Sequence, residues 1–363
     1  MKKIGATILA IALLLCFSGC GLWMNGSYRS ETPHREGSNT GTHINAEVSD
    51  YKQLCDKLLQ MISNGTQSEL IYFVNMDANQ IKFNMPRAIE EITKKAPLGA
   101  YAVESITFES GKNTGKNAVE VSISYIHGRS EILRIRKAES VNDVYKIIDS
   151  ALNNCEASVT IYVNDYEAFD AIQYVQDYVD LHPDICMEMP QVTATVYPEN
   201  GKDRIVEVLF SYDTSREVLR QMQQTVDPVF DSAELYVRGD GDLLEKYYQL
   251  YSFLIERYDY TFETSITPSY HLLRHGVGDS KAFATVYARM CVRAGLECAV
   301  ISGAKAGEGS FWNAIIIDDQ ILYVDLLACN ASGRFQTKTK EQMSGYVWDY
   351  DMDLTSPEND GLF

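Results

Sequence analysis

The chain has 363 residues, with 32 Lys and Arg against 50 Asp and Glu, a formal net charge of −18. Such acidity argues against nucleic acid as a partner and against docking on anionic lipid by charge. The chain is also long enough to build its cores without disulfide staples.

Lys2 and Lys3 precede an apolar stretch over 8–17, too short for a stable membrane span, and then Ser18-Gly19-Cys20. A charged start, a short apolar run and a small-residue cleavage site describe a secretory signal over 1–19. Cys directly after Ser-Gly resembles a bacterial lipobox, with Cys20 as the lipidated first residue of the mature chain and Phe17 where Leu is usual. A plain signal peptide with a chance cysteine is the alternative. Two or more acyl chains on Cys20 would anchor the protein stably. Removing 1–19 takes away two Lys and no acid, leaving 30 basic and 50 acidic side chains. No later stretch is long and apolar enough to span a bilayer, so the expected location is extracytoplasmic, held to the membrane by lipid alone. Residues 20–46 are rich in Gly, Ser, Thr and Asn, which predicts a flexible tether.

From about Ser49 the sequence repeats itself. Ile71-Tyr-Phe-Val-Asn75 resembles Thr160-Ile-Tyr-Val-Asn164, and Val119-Glu-Val-Ser-Ile-Ser-Tyr125 resembles Val206-Glu-Val-Leu-Phe-Ser-Tyr212. Together with the runs at Ser130 and Arg216, the offsets are 89, 87 and 86 residues, which suggests a duplication of α+β units over 47–137 and 138–238. Each unit reads helix, strand, helix, strand, strand. Helical spacing marks 51–62 and 144–152, then 87–95 and 166–181. Alternation marks 102–108 and 192–196, then the two Val-Glu-Val strands. Asp165, Glu167 and Asp170 are expected on a solvated helix face rather than in a catalytic group.

The third region, 239–350, starts with Leu244, Tyr247, Tyr248, Tyr251, Leu254 and Ile255 at helical spacing, and Arg257-Tyr-Asp-Tyr260 ends that helix. A short helix is predicted over 270–274. After the Gly276/Gly278 turn, a helix carries Phe283, Val286, Tyr287, Met290 and Cys291 on one face and stops at Gly295. Strands follow at 297–302, 311–317 and 321–326, with Asp318-Asp319 as a hairpin turn. The first half of the aromatic, acidic stretch after Tyr346 is expected to pack on the core, and 351–363 to form a loose acidic tail.

The ordered blocks Gly276-Val-Gly-Asp-Ser-Lys-Ala-Phe-Ala284, Ser310-Phe-Trp-Asn313 and Tyr323-Val-Asp325 resemble the transglutaminase-like superfamily, with its papain-like core. The resemblance covers about a third of the chain. It implies an α+β architecture in which tandem α/β modules are followed by a helix-plus-antiparallel-sheet domain of the cysteine-protease-like kind. It also implies a triad of Cys, then His two residues before Trp-Asn, then Asp closing a strand. Here Ser280 stands at the Cys position, Ser310 at the His position, and Asp325 remains, with Trp312 and Asn313 beside the groove. The family's reaction is acyl transfer, in which thiolate attacks an amide and an amine or water takes the acyl group.

Ser280 could serve as a nucleophile only with a positioned base, and Ser310 is not one. Losing members of a triad costs several orders of magnitude in rate. His271 and His275, at i and i+4 before the turn, are the candidates for a relocated base. The bland reading of each is surface or packing. As a metal pair they lack the intervening Glu and a third ligand. Asp279 and Ser280 are both favoured helix caps, and Ser280 reads as a cap at the position of a former nucleophile. Trp312 and Asn313 read as core packing and a strand hydrogen bond, and Asp325 needs a new partner or water.

Beyond Cys16 and Cys20 the chain has Cys55, Cys155, Cys186, Cys291, Cys298 and Cys329, scattered and without a CxxC pair. Zinc has little support, no cofactor is called for, and most of the thiols read as buried hydrophobes with one bridge open. The expectation is a lipid-anchored surface protein whose inactive transglutaminase-like domain binds, or scaffolds, a protein, peptide or cell-wall partner. Two alternatives stand beside it: an acyltransferase or peptidase-type hydrolase using Ser280 with His271 or His275, and a structural surface protein acting through its repeats.

Overall fold

The computed structural model describes residues 47–111, 117–237, 239–261 and 269–348. The expected signal sequence over 1–19, Cys20, the expected tether and the expected tail over 351–363 lie outside the described residues.

The first module runs β1 (Glu47–Val48), α1 (Tyr51–Asn64), β2 (Ser68–Phe73), α2 (Ala78–Lys95), α3 (Pro97–Ala102), β3 (Val103–Gly111), β4 (Asn117–Tyr125) and α4 (Arg129–Ile132). Asp50 starts α1 by accepting the Gln53 N–H at 2.8 Å, and Gly65 at φ +67° ends it. Leu54, Leu58, Met61 and Ile62 recur at helical spacing and are buried with Ile71, Val119, Val121 and Ile123 of the sheet. The second helix begins nine residues before the predicted start. Asp77 and Gln80 form a capping box, and Pro86 sits inside the helix.

The second module runs β5 (Arg136–Ala138), α5 (Val141–Asn153), β6 (Ser158–Val163), α6 (Ala171–Leu181), β7 (Gln191–Tyr197) and β8 (Arg204–Ser211). The two sheets have the strand orders β1-β2-β4-β3 and β5-β6-β8-β7. In each, the first pair is parallel and the other two are antiparallel. The expected helix over 166–181 is shorter at its start. Asp165 adopts φ +49° and Asp170 caps α6 through the Ile172 and Gln173 N–H groups, so Asp165, Glu167 and Asp170 do not share a helix face.

Next comes α7 (Arg216–Tyr236), a 21-residue helix with no counterpart in the sequence reading. Its Leu219, Val226, Phe230 and Ala233 are buried in the core of the third region. That region continues with α8 (Leu243–Ile255), β9 (Asp259–Tyr260), α9 (Ser269–His275), β10 (Val277–Gly278) and α10 (Ser280–Arg293). The hairpins β11 (Cys298–Lys305), β12 (Glu308–Ile317) and β13 (Gln320–Val324) follow, then α11 (Leu326–Ser332) and β14 (Tyr346–Val347). Asp318 and Asp319 take φ +51° and +59°, the left-handed pair that a two-residue hairpin turn demands. Leu326, expected at a strand end, instead starts α11.

The third sheet has the order β13-β12-β11-β14. One face packs Ile315 and Val324 against Phe283, Val286, Tyr287 and Met290 of α10. The other buries Ala299, Ile301, Trp312, Ala314 and Tyr323, with Tyr346 and Trp348 packed on them. This two-sided covering explains why β12 reads as a continuous apolar run, Trp312 to Ile317 broken only by Asn313. All six cysteines in the described residues are buried and free. No described helix is long and apolar enough to cross a membrane.

Candidate functional site

The site is built where α10 begins against the middle of the third sheet. Gly276 turns the chain at φ +77°, and β10 pairs in parallel with β9. A Cβ on Gly278 would lie 2.9 Å from the Ala282 side chain and 3.1 Å from Leu272, so the approach to α10 admits only glycine there. Asp279, 2% exposed, caps the helix by accepting the Ala282 N–H at 3.0 Å. Ser280 is the first helical residue, and its hydroxyl instead accepts the Phe311 N–H of β12 at 3.3 Å. The expected capping role therefore belongs to Asp279, because the residue before the first helical turn has the extended backbone that capping needs. Ser280 is a crosslink between helix and sheet.

Ser310 lies on β12 opposite Gly303 of β11, half-buried, and its neighbour Phe311 is the residue that bonds Ser280. Trp312 is fully buried, edge-on to Tyr346 and Trp348 with ring centroids 5.1 and 5.5 Å away. Asn313, equally buried, donates to Ala284 O of α10 at 2.8 Å and to Ala299 O of β11 at 3.3 Å. The sequence suggested core packing and a strand hydrogen bond for these two, and a place beside a groove; both are 0% exposed, so neither side chain lines an open groove. Lys281, beside Ser280, is ion-paired to Asp180 of α6, which brings the second module to the edge of the site.

Both carboxylate oxygens of Asp325 are engaged. One carboxylate oxygen caps α11, accepting the Leu327 and Ala328 N–H groups at 3.0 and 2.9 Å. The other accepts from Lys305 Nζ and from the Tyr346 hydroxyl, each at 2.6 Å. Burial pushes the carboxyl pKa up, but the Lys305, Tyr346 and Ala328 donors outweigh it and hold it below its ordinary value. Burial, and then the same contact with Asp325, raise the Tyr346 phenol. Neither Lys305 nor Tyr346 was picked out as a site residue from the sequence. No motif spacing links them to Asp325, and the only signal was the aromatic composition after Tyr346.

His271 and His275 share one side of α9, their rings 5.4 Å apart and edge-to-face, with Tyr270 edge-on to His271 at 4.8 Å. Burial, then the neighbouring His275 and Arg274, lower the His271 pKa. Among the described residues neither imidazole hydrogen-bonds Ser280, and no cluster of three His, Cys, Asp or Glu could hold a metal ion. The Ser280 hydroxyl accepts a backbone N–H, and a serine nucleophile needs a positioned base to take its proton.

Residues 231–333 match the model of the transglutaminase-like superfamily. The chain carries a transglutaminase-like domain. The match ends before β14, so Tyr346 and Trp348, which engage Asp325 and cover Trp312, lie beyond it. Among solved structures, a TGase is similar at 12% identity over 61% of this chain and 64% of its own, with a TM-score of 0.28. A candidate cysteine protease from Cytophaga hutchinsonii is similar at 9% identity over 44% and 70%, TM-score 0.26. A candidate protease from Parabacteroides distasonis is similar at 10% identity over 58% and 47%, TM-score 0.23. The chain thus spans under two thirds of the TGase. No curated protein matches the chain.

Proposed function

We propose that the chain is a lipid-anchored surface protein whose transglutaminase-like domain has lost acyl-transfer chemistry and serves as a binding or scaffold module for a protein, peptide or cell-wall partner. The observation that carries this reading is the engagement of Asp325. Its two oxygens accept four donors, from Lys305, Tyr346 and the start of α11, so it has no free edge with which to orient a base. Ser280 and Ser310 supply neither a thiolate nor a proton acceptor, and triads stripped of members lose orders of magnitude in rate. Lys305 Nζ is a donor to a carboxylate, the opposite of a general base. The surface location rests on Lys2, Lys3, the apolar run after them and Cys20.

The test is an acyl-transfer assay with a glutamine-containing peptide or a peptide amide as donor and a primary amine as acceptor. The expected result is incorporation at the uncatalysed rate, identical in the wild type and in Ser280→Ala. Turnover that Ser280→Ala abolishes would refute the reading. The anchor is checked separately by mass spectrometry of the membrane fraction, where Cys20 should be N-terminal and acylated.

A further inference from the structure

A polar cavity of about 550 Å³ opens where the two N-terminal modules meet, away from the transglutaminase-like domain. The first module contributes Tyr101, Glu131 and Arg134. The second contributes Arg136, the stretch from Glu156 to Thr160, Glu207 and Arg216. Junctions of this kind and size are where proteins commonly take small ligands.

The lining holds three guanidinium groups and three carboxylates, and their pairing within the protein is incomplete. Arg136 and Glu156 neutralise each other, with both carboxylate oxygens 2.8–3.0 Å from one guanidinium nitrogen. Arg216 donates to the Asn154 carbonyl at 2.8 Å, and among the described residues neither Arg216 nor Arg134 has a carboxylate within ion-pair distance. On the acidic side, Glu131 spends its oxygens on the Gly128 N–H at 2.7 Å and on His127 at 3.3 Å. Glu207 has His127 at 3.9 Å and accepts from the Tyr197 hydroxyl, a neutral donor that leaves its charge uncompensated, and its side chain is only 13% exposed. One imidazole balances at most one of these two carboxylates. Two cationic groups and at least one anionic group are therefore left facing the same space, in a chain whose overall charge is strongly negative.

A third feature is the floor. The parallel ladder from β5 reaches only Ile161, so Ser158 to Thr160 of β6 have no register partner on that edge while the opposite edge is paired along its length with β8. An open strand edge presents main-chain donors and acceptors that an extended chain matches.

The geometry points to a site for a short zwitterionic peptide, its α-carboxylate on Arg134 and Arg216, its α-ammonium on Glu207, and its backbone along Ser158 to Thr160. A purely anionic ligand would leave Glu207 facing it, and a purely cationic one would face the two arginines. A free amino acid shares the same two charges, and the experiment separates the two sources. This inference does not depend on whether the transglutaminase-like domain is catalytic.

The test is calorimetric titration of the full-length chain, held in detergent, with dialanine, alanine, N-acetyl-dialanine and dialanine amide. The expected result is saturable binding of dialanine that weakens at least tenfold when either terminus is blocked. Tighter binding of dialanine than of alanine assigns a peptide, and equal binding assigns an amino acid. The Arg134→Gln/Arg216→Gln variant should abolish the preference for a free carboxylate, and Glu207→Gln the preference for a free ammonium. Both arginines are exposed and the Glu207 change is isosteric, so a thermal melt should confirm that the fold is kept. Blocked peptides binding as well as free ones, or no binding at millimolar concentration, would overturn the assignment.

Discussion

Removing the Asp325 carboxylate should destabilise the transglutaminase-like domain far more than removing the Ser280 hydroxyl. In Asp325→Ala the first turn of α11 loses its cap, worth about 1 kcal/mol. The Lys305 and Tyr346 donors lose a charged acceptor, and hydrogen bonds to charged groups contribute about 1.5–3 kcal/mol each. Lys305 is 39% exposed and recovers water, which keeps the sum below the several kcal/mol of breaking a fully buried pair. The expected loss is about 3 kcal/mol. With an unfolding entropy of about 2 cal/mol/K per residue, that corresponds to a fall in Tm of about 13 °C for a domain of about 110 residues. Asp325→Asn keeps an oxygen for the α11 cap but sets an NH2 donor against the Lys305 and Tyr346 donors, so it should cost about 2 kcal/mol, the loss in Asp325→Ala less the cap. Ser280→Ala removes one 3.3 Å bond at a half-buried position and should cost about 0.5 kcal/mol. Urea unfolding followed by tryptophan fluorescence is the assay. Trp312 and Trp348, two of the three tryptophans, lie in this corner, so the signal reports on this domain rather than on the modules. A loss below about 1 kcal/mol in Asp325→Ala would refute the view that this carboxylate now works as a structural anchor.

The folded Asp325 carboxyl lies below its unfolded value of about 3.9. Its stabilisation is therefore present above that value and lost as pH falls through the lower folded one. The gap in urea midpoint between wild type and Asp325→Asn should hold near neutral pH and close below about pH 4; a gap that widens in acid would contradict the assignment. In Gly303→Ala the new methyl would run into the Val347 carbonyl oxygen and lie 2.6 Å from the Trp312 ring, so β14 must shift. A loss of about 2 kcal/mol with altered tryptophan fluorescence is expected. Tyr247→Phe strips the hydroxyl of a buried tyrosine from the Glu297 and Ile316 carbonyls, at 2.6 and 3.3 Å, and should cost about 1 kcal/mol in the same unfolding assay. The six cysteines in the described residues are buried and free, so a thiol reagent should label them slowly in the folded protein and rapidly in urea.

The sequence by itself determined which elements form and in what order. Period-2 and period-3.6 burial belongs to single strands and helices, and it placed β4, β8, α1, α8 and α10 to within a few residues. The turn at Asp318-Asp319 and the stop at Gly295 are equally local. The long α7 escaped notice because the reading of the second unit stopped at its strands, and its apolar stripe packs on the next region instead. The motif order Gly276–Ala284, Ser310–Asn313 and Tyr323–Asp325 likewise identified the domain, since such spacing reflects how one helix lies on one sheet. What each site residue does was decided only by tertiary structure. Whether Ser280 or Asp279 caps α10 depends on one residue's backbone angles. The Lys305 and Tyr346 donors reach Asp325 from 20 residues before it and 21 residues after it, brought together by the pairing of β11 with β14. Contacts between distant segments leave no periodic trace in either one, so the Lys305 and Tyr346 partners of Asp325 became visible only in the folded chain.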